Sequence, residues 1–353
     1  MLNASERART AIQNDDASAF ALAAQNSLAV TTRTAYGRVL AALLSYVSAH
    51  GLPFATGNDV ITAAAAFMGS RIRRGYAAAS GQQLHSALSI AYPALSAHLR
   101  PLHRGIRGWA KLCPTVKRPP LVRPLAVAMA MWLVRSGHPA IGAAILLAHH
   151  CYLRVGELLR VRIWHVVGPR SPRTGFTNRY AFVHIPHAKT GDMQDVEVTD
   201  PHVVWITAVA MCAARERACD DNGLVFPCAQ HTFRKRFAES AAALGLPPSI
   251  VPHSMRHGGA THDHASGART PAEIQTRGRW RSDKSMSYYV GQMRSALATL
   301  RVPPASVSYG AAIQHCVAQS FKYMLSRADD HNHDVAAFRR AVVFVEAQGV
   351  AAP

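Results

Sequence analysis

Four histidines and an arginine fall within twelve residues of this 353-residue chain, in the run V-P-H-S-M-R-H-G-G-A-T-H-D-H that begins at Val251. Two chemistries use such a set. For a metal, His253 and His257 are four apart on a helix and can share zinc with Asp263 or His264, although H-E-x-x-H is absent and no cysteine is near. For a phosphate, His253 and Arg256 at i,i+3 project from one helix face, setting a proton-transfer group beside a fork-shaped cation. Gly258 and Gly259 should loosen that helix by roughly 1 kcal/mol each relative to alanine. Downstream, R-G-R-W-R-S-D-K-S-M-S-Y-Y-V carries the indole N–H of Trp280 and, nine residues on, the phenol of Tyr289, with Tyr288 beside it. Upstream, Arg154 precedes Glu157 by three, either as a surface ion pair or as an anchored cation. Lys189, in the turn-like A-K-T-G-D, is a solvated turn residue or a mobile proton donor.

Taken in order, Arg154, Lys189, His253-x-x-Arg256, Trp280 and Tyr289 resemble the active-site series of the tyrosine recombinases, the λ-integrase type. That family carries an arginine with an acidic residue three later, a lysine in a β-hairpin turn, His-x-x-Arg, then His or Trp, then a tyrosine nine further on. S-M-R-H-G-G-A-T and R-G-R-W-R-S-D-K-S look closest to recombinases of eukaryotic mobile elements, such as DIRS-like retrotransposons and cryptons. The resemblance implies strand cleavage through a 3′-phosphotyrosyl link to Tyr289, with Arg154 and Arg256 clamping the non-bridging oxygens and His253 assisting. It further implies that Lys189 protonates the departing 5′ oxygen, that Trp280 binds a phosphate oxygen and that Glu157 holds Arg154. No metal or other cofactor is expected, and no G-x-x-x-x-G-K-[ST] loop is present for ATP. The implied partners are double-stranded DNA and further copies of the chain, a dimer on one site and a tetramer in synapsis. Alternatives are a type IB topoisomerase, a recombinase-derived DNA-binding protein that no longer cuts, and a zinc hydrolase built on His253 and His257.

The elements that must position these groups read as mostly α with a small antiparallel β-sheet. Between Cys113 and Pro124 stands C-P-T-V-K-R-P-P-L-V-R-P, whose four prolines forbid a continuous helix and mark a boundary. This predicts a helical DNA-binding domain over 1–115, a linker over 116–124, an α+β catalytic domain over 125–300 and a helical extension over 301–353. In the first, Tyr36, Leu40, Leu43, Leu44 and Val47 make one stripe over 32–50, Asn58 or Asp59 caps a helix reaching Ser70, and Leu84, Leu88 and Ile90 point inward from a helix in 81–99. In the catalytic domain, apolar helices end near Gly137 and span 140–150. Runs 180–187 and 193–198 form a hairpin, and helices follow at 201–217, 231–244 and 253–264. Thr270, Pro271 and Glu273 spell a helix start. In the extension, Ala311, Ile313, Cys316, Val317, Phe321 and Met324 recur at near-helical spacing, to dock on a neighbouring protomer or on the chain's own catalytic domain.

Composition agrees with a polyanion partner. The chain has 39 Lys+Arg against 20 Asp+Glu, a formal charge of +19. Up to Pro120 there are 13 basic and 4 acidic residues, and Arg33, Arg38, Arg71, Arg73, Arg74, Lys117 and Arg118 are the candidate DNA contacts, with Arg100, Arg104, Arg107 and Lys111 adding to the charge. Residues 302–353 balance four basic against four acidic side chains. No apolar run approaches the ~20 residues of a spanning helix, so the expected location is intracellular and DNA-associated: the nucleus for a eukaryotic mobile element, otherwise the cytoplasm or nucleoid. Six scattered cysteines with no C-x-x-C pair read as reduced core thiols.

Overall fold

The structure, a computed structural model, describes residues 28–114, 118–169, 179–188, 191–218, 220–281, 296, 297, 299–329 and 333–353. The chain divides into two compact units, Met1–Lys117 and Arg118–Pro353.

The first unit is helical. In α1 (Val30–Ala49), Val39, Leu43 and Val47 are buried, whereas Leu44 is 49% exposed. The apolar stripe is therefore narrower than its sequence suggests. Helix α2 (Gly57–Arg73) is capped by Thr56 rather than by Asn58 or Asp59. Thr56 Oγ1 accepts from Asp59 N at 3.2 Å and Asp59 accepts from Thr56 N at 2.8 Å, a reciprocal capping box. Helix α3 (Ala79–Ala91) buries Leu84, Ala87 and Leu88, but Ile90 is half in solvent. After a 3-10 segment over Pro93–His98, α4 (Arg100–Leu112) turns Leu102, Ile106 and Trp109 inward. Trp109 Nε1 donates to Tyr76 O at 3.1 Å. A Cβ on Gly81 would lie 2.8 Å from the Trp109 ring, so only glycine admits α4 this close. On the far face of α4, Arg100, Arg104, Arg107 and Lys111 recur at i, i+4, i+7 and i+11, all exposed.

The second unit is built on α5 (Arg123–Arg135) and α6 (Pro139–His150), every residue of the latter being buried. A one-turn helix, α7 (Val155–Leu158), leads to a three-stranded antiparallel sheet of order β1 (Val166–Val167), β2 (Ala181–Ala188) and β3 (Gly191–Val198). Ala181, Val183 and Ile185 on β2 and Val196 and Val198 on β3 face the core, as period-two alternation requires. Helix α8 (Pro201–Arg217) starts at Asp200, whose carboxylate accepts from His202 N and Val203 N. There follow α9 (Gln230–Ala243), α10 (His253–Ala265) and α11 (Pro271–Gly278), the last capped reciprocally by Thr270 and Glu273.

The C-terminal segment packs on this same unit. Helix α12 (Pro304–Ile313) packs the partly buried Val307 and Ile313 against the core that contains α5 and α8, and α13 (Val317–Ser326) and α14 (His333–Ala347) deliver Val317, Phe321, Leu325, Val335, Phe338 and Val342 to it. Trp205 Nε1 donates to Val350 O at 3.1 Å. The near-helical pattern from Ala311 to Met324 is broken after Ile313, and α13 begins only at Val317. Among the described residues no helix is long and apolar enough to cross a membrane. Of the described cysteines, all free, only Cys151 is buried, and burial pushes its thiol up to about 11.

Candidate active site

Helix α10 places its functional groups by unusually close packing. A Cβ on Gly258 would collide with the Leu121 carbonyl, and one on Gly259 with the His149 carbonyl and the Tyr152 ring. The two glycines, which read as a weakness of the helix, are what let α10 lie against α6 and the 118–122 strap. Leu121 N donates to Ser254 O at 2.9 Å, and Leu121 O lies 3.0 Å from His149 Nε2. Burial, then nearby His262 and Arg123, lowers His149 to about 3, so its ring is neutral and donates this bond.

From α10, Arg256 runs inward and is 1% exposed. Its Nη1 donates to Tyr152 O at 2.6 Å, its Nη2 donates to Gly278 O, and its guanidinium lies 4.7 Å from the Trp280 ring centroid. Tyr152 stacks on that indole at 6.1 Å and donates its hydroxyl to Asp263 Oδ2 at 2.5 Å. Its φ of 51° is left-handed, a conformation unfavourable for a residue with a Cβ. The result is a backbone carbonyl serving two guanidinium groups, Arg256 and, at 3.3 Å, Arg279 Nη2.

Arg154 stands at the N-terminus of α7, 26% exposed through its side chain. Its backbone N donates to Glu157 Oε2 at 2.9 Å and its Nη1 to Glu157 Oε1 at 2.5 Å. The other occupant of Glu157 Oε2 is Arg279 Nη2 at 2.7 Å, with both side chains almost wholly buried. Burial alone would raise the Glu157 carboxyl; Arg279 and the two Arg154 contacts overcome it and hold the group below its ordinary value. Arg154, Glu157, Arg279, Tyr152, Arg256 and Trp280 thus form one connected set. Arg279 has no place among the residues expected from sequence, and neither a left-handed arginine nor a carbonyl direction leaves a sequence signature.

His253 opens α10 at the rim of a groove of about 800 Å³ that also exposes Arg118, Arg154, Gln230 and Arg234. Burial, then Arg256, Arg118 and Arg154, lowers His253 to about 4, leaving a neutral imidazole near neutral pH. Gln230 and Arg234, on α9, are groove residues that sequence reasoning missed; their spacing of four is the signal that marks them. His253 and His257 meet edge to face at 4.7 Å, but Asp263 is taken by Tyr152 and Arg269, and among the described residues no group of three His, Cys, Asp or Glu can hold a metal.

Lys189, Tyr288, Tyr289 and Lys117 lie outside the described residues. Arg33, Arg38, Arg73 and Arg74 are exposed on the first unit. Arg71 is half-buried instead, donating to Ser80 Oγ at 2.5 Å and lying over the Phe67 and Tyr76 rings, so much of its charge is engaged internally.

No family model matches the sequence, and no curated protein matches it. The Tn1549 transposon integrase, in complex with transposon right end DNA, matches over 78% of this chain and 94% of that one, with a TM-score of 0.60 and 14% identity. A lambda integrase dimer bound to a COC′ core site matches over 77% of this chain and 75% of that one, with a TM-score of 0.53 and 18% identity. The chain has the tyrosine-recombinase fold. Helices flanking a small antiparallel sheet are what this fold and the sequence-derived architecture share.

Proposed function

We propose that this chain is a site-specific DNA recombinase or integrase that cleaves and rejoins strands through a 3′-phosphotyrosyl intermediate on Tyr289. The observation that carries this reading is the single network joining Arg154, Glu157, Arg279 and Arg256, with Arg154 and His253 opening onto one groove. Both structural neighbours named above are integrases bound to DNA.

A phosphodiester resists attack because its non-bridging oxygens are anionic and its alkoxide leaving group is poor. Arg154, which opens on the groove, is the group to clamp those oxygens, and Arg256, enclosed beside Trp280, is the second guanidinium that the resemblance assigns to stabilising the charge added in the transition state. Fixed guanidinium groups do this best when their orientation is settled before the reaction, and here carbonyls and a carboxylate settle it. A neutral His253 accepts or relays the Tyr289 proton as the phenol attacks. Lys189 donates to the departing 5′ oxygen, and Trp280 braces Arg256; its N–H, buried in the structure, is the one the resemblance assigns to a phosphate oxygen. Double-stranded DNA is the substrate, held by exposed Arg33, Arg38, Arg73 and Arg74 on one unit and by Arg118 on the other, together with Lys117. Recombination requires a dimer on each site and a tetramer in synapsis.

The test is a pool of randomised nicked duplexes, incubated with the full chain and denatured, from which covalently attached strands are recovered and sequenced. Adduct formation is expected with wild type, and complete loss with Tyr289→Phe at nearly unchanged DNA affinity. An adduct that survives Tyr289→Phe but not Tyr288→Phe moves the nucleophile by one residue. No adduct from any pool overturns the reading.

A further inference from the structure

We propose that Arg279 is a positioning residue for strand cleavage: by sharing the Glu157 carboxylate with Arg154, it fixes that carboxylate and leaves the cluster a net positive charge to offer a phosphate. This rests on the recombinase reading above.

Glu157 alone would cancel Arg154. With one carboxylate between two guanidinium groups, one positive charge remains, and only Arg154 reaches the groove, since Glu157 and Arg279 are 3% and 4% exposed. The surplus charge therefore points outward through Arg154. Arg279 is also a costly residue to keep for packing alone. Its φ of 54° is left-handed, and among the described residues its buried Nε and Nη1 have no hydrogen-bond partner. A site that needed only to be filled would be better served by an apolar side chain, because a buried ion pair seldom outweighs its desolvation. Its neighbours tie the same three residues to Arg256: the Gly278 carbonyl accepts from that guanidinium, and the Trp280 ring lies against it. Gly278, Arg279 and Trp280 are thus one turn on which the supports of both arginines converge.

The charged and titratable groups around Glu157 are Arg154 on its own element and Arg279 from the end of α11, with Arg277 and Cys151 next to Arg279. Among the influences that lower the Glu157 carboxyl, Arg279 is the largest. Activity that needs ionised Glu157 is present above its pKa and lost as pH falls through it, so removing Arg279 must move this acid limb to higher pH.

The experiment uses the full chain and a nicked duplex recovered from the randomised pool. Single-turnover adduct rates are measured against pH for wild type, Arg279→Met and Arg279→Lys, with thermal unfolding and DNA affinity in parallel. Arg279→Met should slow adduct formation roughly 10- to 100-fold, the scale seen when an outer-shell partner is lost, shift the acid limb upward and leave DNA affinity within about 2-fold. Arg279→Lys keeps the charge without the fork and should hold the limb in place while restoring part of the rate. Wild-type behaviour in both variants overturns the proposal, as does a rate loss in Arg279→Met with an unmoved limb, or an Arg279→Lys protein no better than Arg279→Met. If Arg279→Met does not fold, a double-mutant cycle of Arg279→Lys with Glu157→Gln decides: additive losses overturn the proposal, and a missing second loss supports it. Absence of any adduct with wild type instead overturns the recombinase reading itself.

Discussion

Arg104 and Arg107 on α4 and Arg256 and Arg279 at the site are the same side chain in opposite circumstances. The first pair stands in solvent on one face of a helix whose other face buries Leu102, Ile106 and Trp109. The second pair is enclosed, with directions set by two backbone carbonyls and a carboxylate. Exposed arginines cost the fold almost nothing and give a diffuse field. Buried ones cost the fold for every donor left unmet, as at Arg279, and give a fixed vector. Affinity for a phosphate backbone needs only the former, whereas chemistry on one phosphate needs the latter.

Substitution at the two regions should separate these uses. Arg154→Ala or Arg256→Ala is expected to slow adduct formation by at least ~100-fold, the scale of losing one preorganised donor to a developing oxyanion. Arg256→Ala should also lower thermal stability, because the buried Gly278 carbonyl loses its donor at about 1–3 kcal/mol and the Tyr152 carbonyl keeps only Arg279, while Arg154→Ala, partly exposed, should not. Near wild-type adduct rates in either variant would break the contrast from the catalytic side.

Acid should distinguish the units next. His149 and His253 are lowered to about 3 and about 4, and His150 well below its ordinary value, burial being the leading cause each time. The unfolded chain binds those protons first, so stability present above about pH 6.5 is lost progressively as pH falls toward 4. In the first unit burial lowers His85 as well, but there is no comparable buried cluster among its described residues. Hydrogen exchange at pH 7 and pH 4.5, corrected for the intrinsic rate, should show α6 and α10 losing more protection than α1 to α4. Equal losses would mean that the buried histidines do not set the acid response.

The smallest effect belongs to the exposed stripe. Arg104→Ala with Arg107→Ala should leave unfolding temperature and adduct chemistry on bound DNA intact. It should reduce the slope of log affinity against log salt by up to ~0.9 for each phosphate no longer neutralised. An unchanged slope would remove α4 from the DNA-binding surface.

Much of this architecture is legible in sequence where one residue type has one physical use. Thr270-Pro271-Ala272-Glu273 starts a helix because its capping geometry is local, and the β2–β3 hairpin follows from β-rich runs flanking a glycine turn. Leu44 and Ile90 mislead because an apolar side chain one position off the buried stripe looks the same as one on it. Thr56 is overlooked as a cap because Asn58 and Asp59 are equally good cap residues. At the site, His253, Arg256 and Arg154 stand out through spacing, whereas Arg279 and the Tyr152 carbonyl do not. Their importance lies in left-handed backbone and in partners more than a hundred residues away.

The close approach at Gly258 and Gly259 has a bearing on how such a molecule changes. Where two backbones meet with no side chain between them, no rotamer or methyl group at the interface is left to vary, so α10, the end of α6 and the Leu121 strap form a joint whose spacing belongs to the main chain. Side chains elsewhere in the core can drift while this joint keeps His253 and Arg256 where they are. Variation introduced to retarget the protein therefore belongs on the exposed faces of α4 and α9, and both glycines belong among the positions held constant.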